Sequence, residues 1–365
     1  MKFSLPKETF LEELQLLHGI VEKRNTMPIL ANILMNVSAS DIELTGTDLE
    51  VGLRTHLEAA IDKPGAITVN GKKIFEIVKS LPEGQIVHVE KVGDNIEIKA
   101  GESEFKILCL PQEDYPQVPE PKFEKDIHLA LKDVKDMIDR VYYAITQEQR
   151  YYLNGAQLSL KNRQIELVST DGHRLAYTKK AQDGLKIDQD ISVIVAKKTL
   201  NEIRKFEDET VEFDLDENNL FFKVGRRTLI SRIIDSKFPN YQAVIPKDNP
   251  GRLAVSREEL ANAIRRVSLL SAERSKGIKF TIEKNRMRLF SSNPEIGEAR
   301  DRLAVEYKGQ DLEIGFNAQY LLDFLTAVAS ERVVFEIKDE NSSVLLKPEA
   351  EEGITNIYVL MPMKI

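Results

Sequence analysis

Apolar residues recur along this chain at two spacings, three to four residues and two residues. Residues 7–21 place Phe10, Leu14, Leu17 and Val21 on one stripe, which predicts an amphipathic helix. The same spacing predicts further helices at about 72–80, 131–145, 197–206, 256–271 and 319–329. Alternation predicts strands near 29–37, 41–46, 49–60, 85–91, 95–100, 103–110, 151–160, 164–169, 173–181, 191–195, 210–215, 219–224, 227–234, 252–255, 278–283, 286–291, 298–307, 332–338, 342–347 and 354–360.

This order of elements occurs three times. Thr47-Asp48, Thr170-Asp171 and Ser292-Asn293 each stand between two predicted strands, about 122 positions apart. The linker dipeptide Tyr115-Pro116 also returns as Phe238-Pro239. The sequence therefore predicts an α+β protein of three repeated domains, each with two helices and about eight strands. The predicted domains are 1–120, 127–246 and 252–365.

Composition narrows the class of protein. A chain of 365 residues is too long for a single core and suits two or three domains. The net charge of −8 means that contact with nucleic acid must come from local basic patches. A single cysteine, Cys109, fits a reducing compartment, and no apolar run is long enough to span a membrane. We expect a cytoplasmic protein without a signal peptide and without a membrane partner.

The middle turn, Thr170 to Arg174, combines residue types that are common in active sites. However, the five histidines are scattered, so no nucleophile, base and acid are brought together by a motif. The segment Asn70 to Lys73 lacks the spacing of a phosphate-binding loop, and no Cys/His cluster suggests zinc. We therefore expect no catalysis, no metal and no cofactor. A structural turn is the default interpretation of this segment.

Several separated motifs carry a resemblance to a known family. They are Arg24-x-Thr26-x-Pro28-Ile29-Leu30, Leu44-Thr45-Gly46-Thr47-Asp48-Leu49-Glu50, Arg150-Tyr151-Tyr152-Leu153-Asn154-Gly155, Thr170-Asp171-Gly172-His173-Arg174-Leu175-Ala176, Phe238-Pro239-x-Tyr241 and Met361-Pro362-Met363. In this order, and over the whole chain, they resemble the bacterial sliding clamps, the beta subunits of DNA polymerase III. The resemblance implies a head-to-tail homodimer that closes into a ring around double-stranded DNA, with helices lining the channel. It also implies partners: the polymerase III alpha subunit, the clamp loader and other proteins with a clamp-binding motif.

The resemblance implies that the segment Thr170 to Arg174 forms part of a cleft that binds partner peptides. The implied cleft residues are Leu153, Thr170, Gly172, His173, Arg174, Leu175, Pro239, Val244, Val359, Met361, Pro362 and Met363. Apolar walls with a few polar groups suit a short hydrophobic peptide, and methionine adapts to several ligands. Ala243 stands where the family often has arginine. The alternative for Met361–Met363 is a frayed tail.

Basic residues recur on the predicted helices and suggest a positive DNA channel. The candidate set is Lys72, Lys73, Lys79, Lys197, Lys198, Arg204, Lys205, Arg265 and Arg266, to which the resemblance adds Arg24 and Gln147. Contacts would be to phosphates, without reading of bases. Single charges of this kind are more often solvated surface. A peptide-docking scaffold that does not encircle DNA is therefore the alternative function.

A head-to-tail ring needs two unlike edges. We place one on the strand near 101–108 and the other on the strand near 298–305. The predicted interface residues are Glu102, Glu104, Phe105, Ile107, Leu269, Leu270, Arg300 and Arg302. The acidic pair would face the two arginines, and apolar packing against the leucines would supply most of the stabilisation. The alternative is an ordinary charged edge strand and a stray leucine.

Overall fold

The computed structural model describes residues 1–21, 27–146, 151–185, 187, 189–273 and 275–364. The helices are α1 (Lys7–Ile20), α2 (Gly71–Ser80), α3 (Leu131–Val141), α4 (Lys197–Ile203), α5 (Arg257–Ser268) and α6 (Ala318–Ala327). Three of them begin at a residue whose side chain accepts a hydrogen bond from an amide of the first turn. These residues are Asn70, Ser256 and Asn317. Asn70, which precedes Gly71-Lys72-Lys73, is therefore a helix cap.

The strands are numbered along the chain. The first third contains β1 (Lys2–Pro6), β2 (Asn32–Val37), β3 (Ile42–Thr47), β4 (Val51–Leu57), β5 (Ala60–Lys63), β6 (Gly65–Asn70), β7 (Ile86–Val92), β8 (Asn95–Ala100) and β9 (Ser103–Leu108). The middle third contains β10 (Ile127–Ala130), β11 (Gly155–Lys161), β12 (Gln164–Thr170), β13 (Arg174–Ala181), β14 (Ile191–Ala196), β15 (Thr210–Leu215), β16 (Asn219–Val224) and β17 (Arg227–Arg232). The last third contains β18 (Gly251–Ser256), β19 (Gly277–Glu283), β20 (Arg286–Asn293), β21 (Gly297–Ala304), β22 (Glu306–Lys308), β23 (Leu312–Asn317), β24 (Arg332–Ile337), β25 (Val344–Pro348) and β26 (Ile354–Leu360).

The first of two compact units comprises residues 1–133 and 198–233. One of its sheets has five strands in the order β5-β1-β7-β8-β9. The other has eight, β10-β15-β16-β17-β4-β3-β2-β6, and its strands come from both the first and the middle third of the chain. They join where β17 pairs antiparallel with β4, from Arg227 opposite Thr55 to Ser231 opposite Val51.

The second unit comprises residues 134–197 and 234–365 and repeats this plan. A four-stranded sheet has the order β21-β20-β19-β23. A nine-stranded sheet has the order β14-β11-β12-β13-β26-β25-β24-β18-β22. Here strands of the middle and last thirds join where β13 pairs antiparallel with β26, from Arg174 opposite Leu360 to Lys180 opposite Ile354. In each unit, one strand pair thus joins neighbouring repeats into a single large sheet.

In each unit the core forms where the apolar faces of the helices pack against the sheets. In the first unit α1 buries its predicted stripe of Phe10, Leu14 and Leu17, together with Ile20. In the second unit α5 buries Leu260, Ile264 and Val267, and α6 buries Leu321, Phe324 and Leu325. Burial of such side chains is worth about 1.5–3 kcal/mol each, so these stripes fix which helix face meets the sheet.

The structure corrects several predicted boundaries. Residues 28–31 form a 3-10 turn rather than the start of a strand, the strand predicted at 49–60 ends at Leu57, and the strand predicted at 298–307 is divided into β21 and β22. The helix predicted to reach residue 145 ends at Val141, where the chain tightens into a 3-10 turn over Tyr142–Ala144 and the amide of Ile145 donates to the carbonyl of Tyr142. Strands β5, β6, β10 and β23 were not predicted.

Candidate functional site

The threefold motif forms the same turn in its first two copies. The Thr47 hydroxyl donates to the carbonyl of Val51, and the Asp48 carboxylate accepts from two amides, those of Glu50 and Val51. In the middle copy Thr170 donates to the carbonyl of Arg174, and Asp171 accepts from the amides of His173 and Arg174. In the third copy Asn293 accepts from the amide of Glu295. The hydroxyl and the carboxylate therefore hold the chain reversal, which is the structural interpretation of these residues.

The side chain of Arg174 extends from this turn and is largely buried. It is only 9% exposed. Nε donates to Asp171 Oδ2 at 3.0 Å, Nη1 to Asp323 Oδ2 at 2.6 Å, and Nη2 to the carbonyl of Tyr143 at 2.5 Å. The guanidinium also stacks on the ring of Tyr320, 4.1 Å from its centroid. Arg174 is thus held by groups from three separate segments of the second unit.

A cavity of about 660 Å³ opens beside the middle turn. Ten of the predicted cleft residues line it: Leu153, Thr170, Gly172, His173, Arg174, Leu175, Pro239, Val244, Val359 and Met361. Its floor rests on a buried apolar cluster that includes Leu153, Leu175, Phe238, Tyr241 and Val359. Val244 and Met361 are more than half exposed on the rim. The cleft has an apolar base and a polar edge, a composition that suits a short hydrophobic ligand.

Two predicted cleft residues lie elsewhere. Among the residues that the structure describes, Pro362 and Met363 are not part of the cavity lining. The amide of Met363 instead donates to the carbonyl of Gly315 in β23, while the amide of Met361 donates to the carbonyl of His173. The terminal segment is therefore tied to the fold through both methionine amides, and its interpretation as a frayed tail is wrong for residues 361–363.

The cleft also contains residues outside the predicted set, although the sequence had already drawn attention to Ala243. They are Tyr152, Asn240, Tyr241, Ala243, Ile245, Pro246, Lys247, Asp248, Asn249, Lys338, Ser342 and Ser343. Those between 240 and 249 follow directly from the Phe238-Pro239-x-Tyr241 motif, so the linker itself was the available signal. The turn between β24 and β25, which supplies Lys338 and the two serines, carried no such signal.

Several candidate DNA-contacting side chains are already engaged by the protein. Lys198 Nζ donates to Asp48 Oδ2 at 2.5 Å and to the carbonyl of Ile20 at 2.8 Å. Lys205 Nζ donates to Glu202 at 2.6 Å. Lys197 Nζ donates to the carbonyl of Ile145, and burial together with the nearby Arg174 guanidinium lowers its pKa below the ordinary value. The first role of Lys197 and Lys198 is therefore to tie segments of the fold together.

The lysines of α2 are the more accessible basic group. Lys72, Lys73 and Lys79 are exposed on the face opposite the buried Ile74 and Val78. The Nζ atoms of Lys72 and Lys73 lie 3.7 and 3.0 Å from carboxylate oxygens of Glu76 on the same helix. Both pairs are solvated, so they hold the amines only weakly. This face is the best candidate for phosphate contact in the first unit.

The remaining basic candidates divide by position. In the second unit, Arg265 donates to Asn262 on α5, and Arg266 pairs with Asp301 of β21 at 2.6 Å. Arg204 follows α4 in the first unit. Arg24 and Gln147 lie outside the described residues. Arg266 is thus directed toward the strand that we predicted as an interface edge.

The two strands predicted as interface edges each end a sheet. β9 is the last strand of the five-stranded sheet in the first unit, and β21 is the last strand of the four-stranded sheet in the second unit. On β9, Glu104 is exposed and Phe105 and Ile107 share the half-buried face, while the exposed Glu102 lies in the turn just before the strand. Glu104 pairs with Lys99 at 2.8 Å within the same unit.

The β21 edge shows the same alternation. Arg300 and Arg302 are exposed, and Arg300 pairs with Glu298 at 3.0 Å. Leu269, just after α5, is 78% exposed, while Leu270 is half-buried. On β9 the sequence did not single out Leu108, which is 71% exposed. Among the described strands, β9 and β21 therefore each pair on one side only, and each unit has a large exposed apolar side chain, Leu108 on β9 and Leu269 just after α5.

No group of three or more His, Cys, Asp or Glu side chains that could hold a metal ion occurs in the described part of the chain. In the same ranges, no helix is long and apolar enough to cross a membrane.

Three family models match the chain in succession. They describe the N-terminal, central and C-terminal domains of the DNA polymerase III beta subunit, and they match residues 1–119, 128–240 and 242–364. The class of the protein is therefore a clamp built of three α+β domains. The chain belongs to the DNA polymerase III beta subunit family, which confirms the resemblance found in the sequence.

Individual relatives agree over their full lengths. The chain is 37% identical to the beta sliding clamp of Pseudomonas aeruginosa and 33% identical to that of Escherichia coli, with complete coverage of both proteins in each case. Among solved structures, the DNA polymerase III subunit beta of P. aeruginosa superimposes with a TM-score of 0.94 at 34% identity. The sliding clamp of Bartonella birtlesii, solved with griselimycin bound, gives 0.95 at 33% identity. Both structures are covered completely.

Proposed function

We propose that this chain is a replication sliding clamp: two copies close into a ring around duplex DNA, and a cleft on each copy tethers the polymerase. The observation that carries the proposal is a pair of unlike edge strands, β9 and β21, one in each compact unit, which pair on one side only in the described sheets. Membership of the beta subunit family over the whole chain supports it. A ring that tethers a polymerase to DNA acts mechanically, so the proposed function does not require catalytic activity of this chain.

Ring closure would join β9 of one copy to β21 of the other. Such a contact is heterologous, because the two surfaces differ, and it gives a closed ring when the rotation between copies closes. Leu108 and Leu269 are each more than two-thirds exposed, and their burial in the interface would contribute about 1.5–3 kcal/mol each. The charges of Glu102 and Arg302 would mainly set the partner and the register.

DNA would be held by phosphate contacts. The chain carries a net charge of −8, so attraction has to come from a local basic face. The exposed lysines of α2 supply one in the first unit, with Arg265 as the corresponding candidate on α5 in the second. Contacts to phosphates carry no sequence information, so binding should be independent of sequence and sensitive to salt.

Partner proteins would dock in the cleft of the second unit. Its apolar base of Leu175, Tyr241 and Val359 can accept a few hydrophobic side chains of a short peptide, and the exposed Met361 can adapt to different ligands. The partners that we propose are the polymerase III alpha subunit, the clamp loader and other proteins that carry such a segment.

Retention on circular DNA tests the encircling function. The purified protein is loaded by its cognate clamp loader onto a nicked circular plasmid, separated by gel filtration, and followed after the plasmid is cut once. A ring should co-elute with circular DNA and leave it after linearisation. A peptide-docking scaffold would bind the polymerase peptide but would show no difference between the two DNA forms, and this result would contradict the proposal.

A further inference from the structure

The base of the middle turn contains a chain of polar contacts that reaches across the second unit. Gln319 Nε2 donates to Asp323 Oδ1 at 2.7 Å, and Asp323 Oδ2 accepts from Arg174 at 2.6 Å. Arg174 in turn donates to Asp171, whose other oxygen accepts from the amide of His173 at 2.9 Å. A carboxylate on α6 is thereby connected to His173, an exposed residue of the cleft lining.

The geometry leaves Arg174 little capacity for an external ligand. A guanidinium has five N–H donors in a planar fork, and here all three of its nitrogens already donate within the protein. One face of the plane is covered by the ring of Tyr320. Arg174 lines the cleft, but its side chain is only 9% exposed.

We propose that Arg174 and Asp323 are positioning residues of the peptide cleft: they fix the Asp171–His173 turn that forms its wall, and neither contacts the docked peptide. This inference rests on the proposed function, in which peptides bind this cleft. It adds Asp323, 149 positions from Arg174, to the groups on which peptide affinity depends. It also gives α6 a role in a wall that is built from β12 and β13.

The alternative, direct contact between Arg174 and the peptide, predicts the opposite response to one substitution. Asp323→Asn removes the charge that holds Nη1 and frees the guanidinium. If Arg174 were a peptide ligand, this variant would bind as well as the parent or more tightly. If Arg174 positions the turn, the wall loosens and binding becomes weaker.

A matched control is available in the same unit. Arg140 and Glu351 form an ion pair at 2.8 Å, and their side chains are 8% and 13% exposed, close to the 9% and 21% of Arg174 and Asp323. Neither residue lines the cleft. Glu351→Gln therefore removes a comparable buried charge without touching the turn, and it measures the effect of general destabilisation.

The experiment uses the full-length protein and a labelled synthetic peptide that carries the clamp-binding segment of the polymerase III alpha subunit. Fluorescence anisotropy gives the affinity of the parent, Asp323→Asn, Arg174→Lys, the double variant and Glu351→Gln. We expect about tenfold weaker binding for Asp323→Asn, which corresponds to about 1.4 kcal/mol. Glu351→Gln should stay within about twofold of the parent, and the double variant should lose little more than either single variant.

Amide hydrogen exchange of residues 171–174 gives a second readout that needs no ligand. Exchange should be faster in Asp323→Asn and unchanged in Glu351→Gln. Failure of the parent to bind the peptide would refute the cleft function, while the exchange rates would still decide whether Asp323 fixes the turn. Parental affinity and parental exchange in Asp323→Asn, or equal losses in Glu351→Gln, would overturn the inference.

Discussion

Removal of the Glu13 carboxylate should destabilise the first unit strongly. Glu13 lies on the inward face of α1 and is fully buried. It accepts hydrogen bonds from Arg227 at 2.6–3.1 Å and from Arg226 at 2.9 Å. The Arg227 side chain is itself only 10% exposed. Breaking a buried pair by removing one partner leaves an uncompensated charge, so Glu13→Ala should lower the free energy of unfolding by about 3–5 kcal/mol.

The adjacent carboxylate provides the control. Glu12 also pairs with Arg227, but its side chain is 58% exposed, so Glu12→Ala should cost no more than about 1 kcal/mol. The chain has no tryptophan, so unfolding in urea is best followed by far-ultraviolet circular dichroism, comparing the midpoints of the first transition. Equal midpoints for the two variants would refute the assignment of Glu13 as the main ionic contact of this unit.

The pH dependence of this effect has a definite sign. Burial alone would raise the pKa of Glu13, but hydrogen bonds, led by that from Arg227, outweigh it and hold the pKa below the ordinary value of 4.5. A carboxyl with a depressed folded-state pKa stabilises above its unfolded pKa and loses that contribution as pH falls through the folded value. The gap between the parent and Glu13→Ala should therefore be constant near neutrality and shrink in acid below about pH 4.5.

The remaining predictions concern the dimer interface and the basic face that would contact DNA. Leu269→Ala with Leu270→Ala should give folded monomers, since burial of one such side chain is worth about 1.5–3 kcal/mol; a dimer that persists at nanomolar concentration in analytical ultracentrifugation would contradict the interface. Arg300→Glu with Arg302→Glu should weaken the dimer less, and Glu102→Arg with Glu104→Arg should restore it. Charge reversal at Lys72, Lys73 and Lys79 should shorten residence on DNA and reduce the salt slope by roughly 0.9 per lost phosphate contact, whereas Lys308→Glu on β22 should change neither. An unchanged slope would place α2 away from DNA.

The sequence predicted the helices well because their inward stripes are long and regular. Phe10, Leu14 and Leu17 on α1 are buried as expected. The missed strands are those whose pattern is short or interrupted. β10 has four residues after a proline-rich linker, and β23 contains Gly315. A pairing partner far along the chain, Thr210–Phe213 for β10, decides that such a segment is a strand, and alternation within it does not.

Side-chain roles were harder to predict than positions. The family resemblance places Arg174 in the cleft, and Arg174 does line the cavity, but its guanidinium donates to Asp323, 149 positions away. Lys198 was grouped with DNA-facing lysines because it lies on a basic helix, yet its amine reaches Asp48, 150 positions away. Periodicity identifies the face on which a long side chain begins. It does not identify the distant acceptor that captures the charged end.

Each unit has a cavity beside its turn, and the cleft of the second unit is the better candidate for binding an apolar peptide. The first unit has a cavity of about 410 Å³ beside its own turn, in the place that corresponds to the cleft. The backbones agree: the amide of Arg232 donates to the carbonyl of Glu50 as that of Met361 donates to His173. The side chains differ, because Glu50 and Arg232 stand in place of the histidine and the methionine. Leu49, at a φ of 76°, also occupies the position of a glycine whose φ is 91°. The repeat determines where a groove forms, and the residues that differ between its copies determine which ligand that groove can accept.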